Sequence, residues 1–198
     1  MDNNYVFQYW EAIENGAVTV GKWIRTIYKI LVDGLKSGKW DFDGDKANKA
    51  INFIENFCHH SEGRNDLLKL ELWQKAIVSA IFGIMDKKTG YRQFREVFIV
   101  VARKNGKTLF AAAIAAYMTY IDGEYGAKVY FLAPKLDQAD LVYDAFYQIV
   151  QADDELESIT KKRRSDIYIK EFNTSVKKIA FNSKKSDGFN PQMVVNDE

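Results

Sequence analysis

One stretch limits the folds open to this chain more than any other. An apolar run, Val97-Phe98-Ile99-Val100-Val101-Ala102, stops in the polar turn Arg103-Lys104-Asn105-Gly106 and restarts as an apolar segment behind Lys107-Thr108. A short, continuous, β-branched run is the pattern of a central parallel strand covered on both faces, whereas an edge strand alternates. Leu109 to Ile121 is apolar nearly all round and rich in alanine, which suits a helix lying close against a sheet. The spacing predicts strand, turn, helix. In such a turn Gly106 lets backbone N–H groups approach a phosphate, Lys107 reaches the β/γ oxygens, and the Thr108 hydroxyl holds Mg²⁺ at a helix N-terminus. The usual phosphate loop also has a glycine five positions before Gly106, and here that position is Val101. A bare Gly-Lys-Thr is common by chance, so its placement between a buried-strand and a buried-helix pattern carries the nucleotide-binding reading.

The first third reads as amphipathic helices. Tyr5 to Glu14 has helical spacing and stops at Asn15-Gly16; a second helix starts at Thr19 as its cap and runs until the stretch Gly34 to Gly44 breaks it; a third starts at Asp45. Asp41, Asp43 and Asp45 imitate the start of a calcium loop, but Lys46 stands where glycine is required and Asn52 where the terminal Glu belongs, so they read as helix-capping residues. Cys58-His59-His60 lacks a second ligand pair at zinc spacing and reads as a solvent-facing helix end. Glu62 to Asp66 is a polar joint, placing a helical region at 1–65 and a second domain at 66–198. The next helix opens on Leu72-Trp73-Gln74, where Trp73 is either a core residue at a helix start or the neighbour of a Gln74 amide that reads an adenine edge.

Behind the turn, Lys128 to Ala133 is a second buried strand ended by Pro134, and Leu136, Ala139, Tyr143, Phe146, Tyr147 and Val150 share one helical face. Two strand–helix units in succession argue for an α/β fold with a parallel sheet. Ile167-Tyr168-Ile169 and Val176 to Phe181 read as a hairpin, preceded by the basic run Lys161-Lys162-Arg163-Arg164, which is either a solvated turn or a DNA contact. Asp187 to Pro191 is a turn into a last strand, Met193 to Asn196, that runs into Asp197 and Glu198. At the C-terminal edge of a parallel sheet these acids have the position for Mg²⁺ binding and for orienting an attacking water. The formal charge of +1 provides no global basic field, so nucleic-acid binding would need a local patch. A single cysteine, Cys58, excludes an intramolecular disulfide framework, and no apolar run is long enough for a membrane span.

With Ala102-Arg103-Lys104-Asn105-Gly106-Lys107-Thr108, Leu72-Trp73-Gln74 ahead of it, and Asp187-Gly188 and Asp197-Glu198 behind, the chain resembles the large terminase subunit of tailed bacteriophages, over its ATPase half. A loop without its first glycine is typical of that family. The resemblance implies a P-loop NTPase sheet flanked by helices, with ATP and Mg²⁺ as ligands. It implies that Arg103, Lys104, Asn105, Gly106, Lys107 and Thr108 hold the nucleotide, that Gln74 contacts adenine, and that Thr108 and Asp197 hold the metal. Glu198 and Arg103 are then the catalytic pair, Arg103 because a guanidinium neutralises charge developing on the phosphoryl group. The implied motor drives double-stranded phage DNA into a procapsid, with a portal protein and a small terminase subunit as partners, a homo-oligomeric ring in the full assembly, and the host bacterial cytoplasm as its setting. The family's coupling motif, lid and nuclease domain are not in the sequence, so the chain is expected to be truncated behind the acid pair and not to cut DNA. Two alternatives remain at this point: a nucleotide-binding but inactive module, and a helicase-like translocase.

Overall fold

A computed structural model describes residues 4–60, 63–180 and 191–196 of the chain. The chain divides into two compact units, Met1–Glu55 with Lys69–Val100, and Asn56–Leu68 with Val101–Glu198. The expected boundary at 65/66 falls inside the segment 56–68 that belongs with the second unit.

The first unit is built on helices α1 (Tyr5–Glu14), α2 (Lys22–Lys36), α3 (Gly44–Phe57) and α4 (Leu72–Gly83), with a small antiparallel ribbon of β1 (Trp40–Phe42) and β2 (Ile84–Asp86). The Asn4 side chain caps α1 by accepting from the N–H groups of Val6 and Phe7. α2 begins later than expected: its N-cap is Gly21, not Thr19, because a side-chain cap is only one of several ways to satisfy a helix start. Asp43 behaves as a capping residue, accepting from the Lys46 N–H at 3.0 Å and pairing with the Lys46 ammonium at 3.3 Å. Val6, Tyr9, Ile13, Tyr28, Leu31, Val32, Trp40, Ala76 and Ile84 form the core of this unit. Trp40 lies directly on Gly34, where an added Cβ would stand 2.4 Å from the indole ring.

The second unit carries α5 (Lys107–Tyr120), β3 (Lys128–Ala133), α6 (Leu136–Gln151), α7 (Asp154–Ile159), β4 (Thr160–Lys162), β5 (Ile167–Ile169), β6 (Thr174–Ala180) and β7 (Met193–Asn196). The strands form one mixed sheet in the order β4-β5-β6-β3-β7: β3 is parallel to both β6 and β7, and β5 is antiparallel to both β4 and β6. α5 and α6 pack on each other and on the sheet. Phe131 of β3 meets Tyr143 and Phe146 of α6, and Phe146 stacks on Tyr120 of α5. Burial pushes the Tyr143 phenol up to about 12, helped by Asp166, Asp144 and Asp140. Cys58 is fully buried rather than solvent-facing, since the chain turns back there and Leu68 N–H donates to the Cys58 carbonyl; burial raises its thiol pKa.

The expected central strand Val97–Ala102 is not formed. No described strand pairs with it, and Phe98 and Val100 are 93% and 80% exposed. β-branched composition supplies the propensity for a strand, but every hydrogen bond of a parallel strand comes from a partner distant in sequence. β3 already has β6 on one side and β7 on the other. The expected turn over Asp187–Asn190 and the hairpin's Phe181 lie outside the described residues.

Replacing Gly34 by Ala forces a methyl into the Trp40 ring. The overpacking cost of about 1–3 kcal/mol exceeds the roughly 1 kcal/mol gained in helix propensity, so the midpoint of urea unfolding should fall. Asp43→Ala should remove about 1 kcal/mol at neutral pH by loss of the cap. The Lys46 N–H first, and then the Lys46 side chain, hold the Asp43 carboxyl below its ordinary range. A depressed pKa contributes stability above the unfolded value that disappears as pH falls through the folded one, so the difference between Asp43→Ala and the parent should close below pH 4. Equal stability of the two at pH 7 would contradict the cap.

Candidate functional site

The site is built at the entrance to α5. Lys104 and Gly106 both adopt left-handed backbone, with φ of 66° and 69°. Gly106 is the N-cap of α5, and the Phe110 N–H donates to its carbonyl at 2.9 Å in the first helical turn. An added Cβ at Gly106 would meet nothing within 4 Å, so the requirement there is the left-handed φ and not space. For Lys104 the same conformation is uncommon in a non-glycine residue, and such strain concentrates at functional turns. Left-handed residues in a turn are also what curls successive backbone N–H groups into anion-binding nests.

Asn105, between the two, closes the loop on itself: its amide nitrogen donates to the carbonyls of Ala102 at 3.1 Å and Arg103 at 3.2 Å. Gly106 offers no side-chain cap, and as in any helix the N–H groups of the first turn have no intrahelical acceptor and carry the positive end of the helix dipole. Ala102 to Gly106 are exposed, and Lys107 and Thr108 are half-buried as the first two residues of the helix. The structure thus gathers Arg103, Lys104, Asn105, Gly106, Lys107 and Thr108 into one turn.

Strands β3 and β7 pair with each other and pack against α5 in the same unit. Gln192, which enters β7, donates its side-chain amide to the Asp122 carbonyl just past the C-terminus of α5 and its backbone N–H to Lys128 at the start of β3. The beginning of β7 is therefore held at the end of α5. Val195 pairs in register with Phe131 and Asn196 with Leu132, so the C-terminal ends of β3 and β7 run toward the N-terminus of α5. Asp197 and Glu198 themselves lie outside the described residues. The anchoring role of Gln192 has no signal in the sequence, because it depends on which strand lies beside β3.

Gln74 belongs to α4 in the first unit, where it is buried. Its side-chain oxygen accepts from the Glu71 N–H at 2.9 Å in a reciprocal capping box. The carbonyl that an adenine edge would use as acceptor is spent on the helix start, and the amide N–H groups are what remains to be offered. Among the described residues no group of three or more His, Cys, Asp or Glu could hold a metal ion, and no helix is long and apolar enough to cross a membrane.

The family model described as "Terminase large subunit, ATPase domain" matches residues 72–198, from the start of α4 onward. Among solved structures the chain is similar in fold to the crystal structure of the HK97 bacteriophage large terminase, with a TM-score of 0.66 at 24% identity, over 77% of this chain and 31% of that one. The chain thus spans about a third of that protein's length. No curated protein sequence matches it.

Replacing Asn105 by Ala removes both hydrogen bonds that close the turn while leaving α5 in its packing. Amide exchange over residues 103–107 should then accelerate several-fold with the later turns of α5 unchanged. Unchanged exchange in the turn would show that Asn105 does not hold it.

Proposed function

The chain belongs to the terminase large subunit family through its ATPase domain, and from that premise we propose that the turn at the head of α5 binds ATP and that the protein is part of an ATP-driven DNA-packaging motor. The observation that carries the reading is the turn itself: two left-handed residues, a glycine at the helix N-cap, and Lys107-Thr108 as the first two residues of the helix. Backbone N–H groups aimed at one point, with a helix dipole behind them, favour a polyphosphate over any neutral ligand.

In this reading the N–H groups of Lys104 to Thr108 surround the β-phosphate, and the Lys107 ammonium neutralises the β/γ oxygens. Arg103, exposed at the front of the turn, reaches the γ-phosphate, where a guanidinium stabilises charge that develops on transfer. Mg²⁺, bound with the nucleotide, supplies the remaining charge neutralisation on the transferring group. Thr108 and Asp197 are the residues to hold it, and the hydroxyl and carboxylate suit a hard cation. Glu198 orients the attacking water, and Gln74 offers its amide N–H groups to adenine. Double-stranded phage DNA, a portal protein, a small terminase subunit and further copies in a ring are the partners such a motor needs, in a host cytoplasm.

One observation favours a second reading, a nucleotide-binding module without turnover. The run Val97–Ala102 that leads into the turn is outside the sheet, and Val97 to Val100 are exposed. A phosphate loop anchored on one side only can bind a nucleotide, but catalysis asks for placement within a fraction of an ångström. The two readings part at steady-state hydrolysis, which the first requires to fall on Glu198→Gln and the second predicts to be absent in the parent.

The test is calorimetric titration of the chain with Mg-ATP beside Lys107→Ala. Saturable binding in the parent, weakened at least tenfold in the variant, is the expected result. Equal behaviour of the two proteins, with or without heat of binding, would remove the turn as a nucleotide site.

A further inference from the structure

Helix α2 is apolar over more of its surface than the protein covers. Tyr28, Leu31 and Val32 are buried and belong to the core of the first unit. Trp23, Ile27 and Ile30 follow one another at helical spacing on an adjoining stripe, and they are 71%, 49% and 55% exposed. The next residue of that stripe is Gly34, and there the chain supplies its own cover, because the Trp40 ring lies against it. The two turns ahead of Gly34 have no such cover among the described residues. Single exposed apolar side chains are ordinary, whereas a contiguous row rimmed by charge marks a docking surface.

The rim selects the occupant. On the polar side of the stripe stand Lys22 at its start and Asp33 beyond its end. The Lys22 ammonium lies over the ring of Trp23, 5.0 Å from its centre, and forms no ion pair with a described residue. Asp33 holds the Lys29 ammonium through one oxygen, Oδ2, at 2.7 Å. The other flank of the stripe is the core itself. Two copies of α2 laid side by side in opposite directions, about a two-fold axis near Ile27, set polar flank against polar flank. Trp23 then meets Ile30 of the second copy, Ile27 meets its own counterpart, and Lys22 comes beside Asp33 of the second copy. Parallel copies would instead set Lys22 against Lys22 and Asp33 against Asp33, where like charges repel. A lipid surface fits less well, since a helix lying in a lipid interface offers its whole apolar face and half of this one is committed to the core.

We propose that the α2 stripe of Trp23, Ile27 and Ile30 binds the same stripe of a second copy of this chain, antiparallel and about a two-fold axis, with Lys22 and Asp33 paired across both ends. Tryptophan is the residue type that most often anchors such a contact, and here each copy contributes one. From Trp23 to Ile30 the stripe is about 10 Å long, so the contact is smaller than the roughly 1,200 Å² that stable complexes bury. The pair therefore exchanges with the monomer and depends on concentration. A two-fold contact is self-complementary and closes at two copies, whereas a ring needs two different surfaces joined head to tail. This contact is thus distinct from a ring interface. It is also independent of nucleotide binding, because α2 lies in the first unit and the turn at Gly106 in the second.

The experiment is sedimentation velocity of the chain from about 5 to 500 µM, beside Trp23→Asp and Ile27→Asp. The parent should move from monomer toward dimer across that range. Each variant should associate roughly tenfold or more weakly while its urea midpoint stays at the parent's, because neither side chain is in the core. Lys22→Glu and Asp33→Lys should each weaken the dimer, and the two together in one chain should restore it. Ile27→Cys should form an intermolecular disulfide on oxidation with diamide, and Lys29→Cys, on the polar face, should not; Cys58 is buried and does not compete. A parent that stays monomeric at the highest concentration overturns the proposal, and so does assembly beyond two copies. Parent-like association of Trp23→Asp, or failure of the charge exchange to restore the dimer, overturns it as well. Binding of the monomer to anionic phospholipid vesicles through Trp23, with no dimer, would assign the stripe to a lipid surface instead.

Discussion

Phe131 projects from the middle of β3 into the interface with α6, meeting Tyr143 nearly edge-on at 6.3 Å and Phe146 at 5.9 Å, and Phe146 in turn stacks on Tyr120 of α5. Four rings from three elements lock the two long helices to the sheet. Full burial of a side chain of this size contributes on the order of 1.5–3 kcal/mol. That clamp fixes the rotation and height of α5, whose buried face runs from Phe110 to Tyr120. The position of the turn at its head follows. Lys107 and Thr108 are aimed by a helix that cannot slide, and the turn itself can remain exposed.

The consequence is a division of labour between a rigid support and a strained tip. The left-handed Lys104 and the self-bonded Asn105 are maintained by local hydrogen bonds, while the helix behind them is maintained by packing. Binding residues placed on a short loop over a rigid scaffold are the common solution to the conflict between accessibility and precision. The first unit uses a different currency of order, an aliphatic and aromatic core closed by Trp40 on Gly34 and by the T-shaped pair of Tyr9 and Tyr28. The buried Tyr28 phenol has its pKa raised by that burial, as expected for a hydroxyl placed in a core.

Much of this was legible in the residues. α1 from Tyr5 to Glu14, β3 from Lys128 to Ala133, the β5–β6 hairpin and β7 from Met193 to Asn196 all lie where periodicity and breakers place them, because these signals are local. The break at Gly106 and the start of α5 at Lys107 were legible for the same reason. What was not legible is instructive at single positions. Val97 to Ala102 has the composition of a buried strand, and Val97 to Val100 are exposed. Cys58, next to two histidines, reads as a surface residue and is fully buried. Gln74 has the chemistry to read a base edge and spends half of it on a helix cap.

By itself, therefore, the sequence determined the type of the longer helices and of β3, β5, β6 and β7, the break at Gly106 and the family to which the chain belongs, since all three rest on residue spacing within a few turns or one strand. Only the tertiary structure decided which strands pair and which helix face meets Phe131. Those outcomes depend on inter-strand register. The hydrogen bonds that join β3 to β6 and β7 link residues tens of positions apart, and a shift of one residue in β3 would turn Phe131 away from α6.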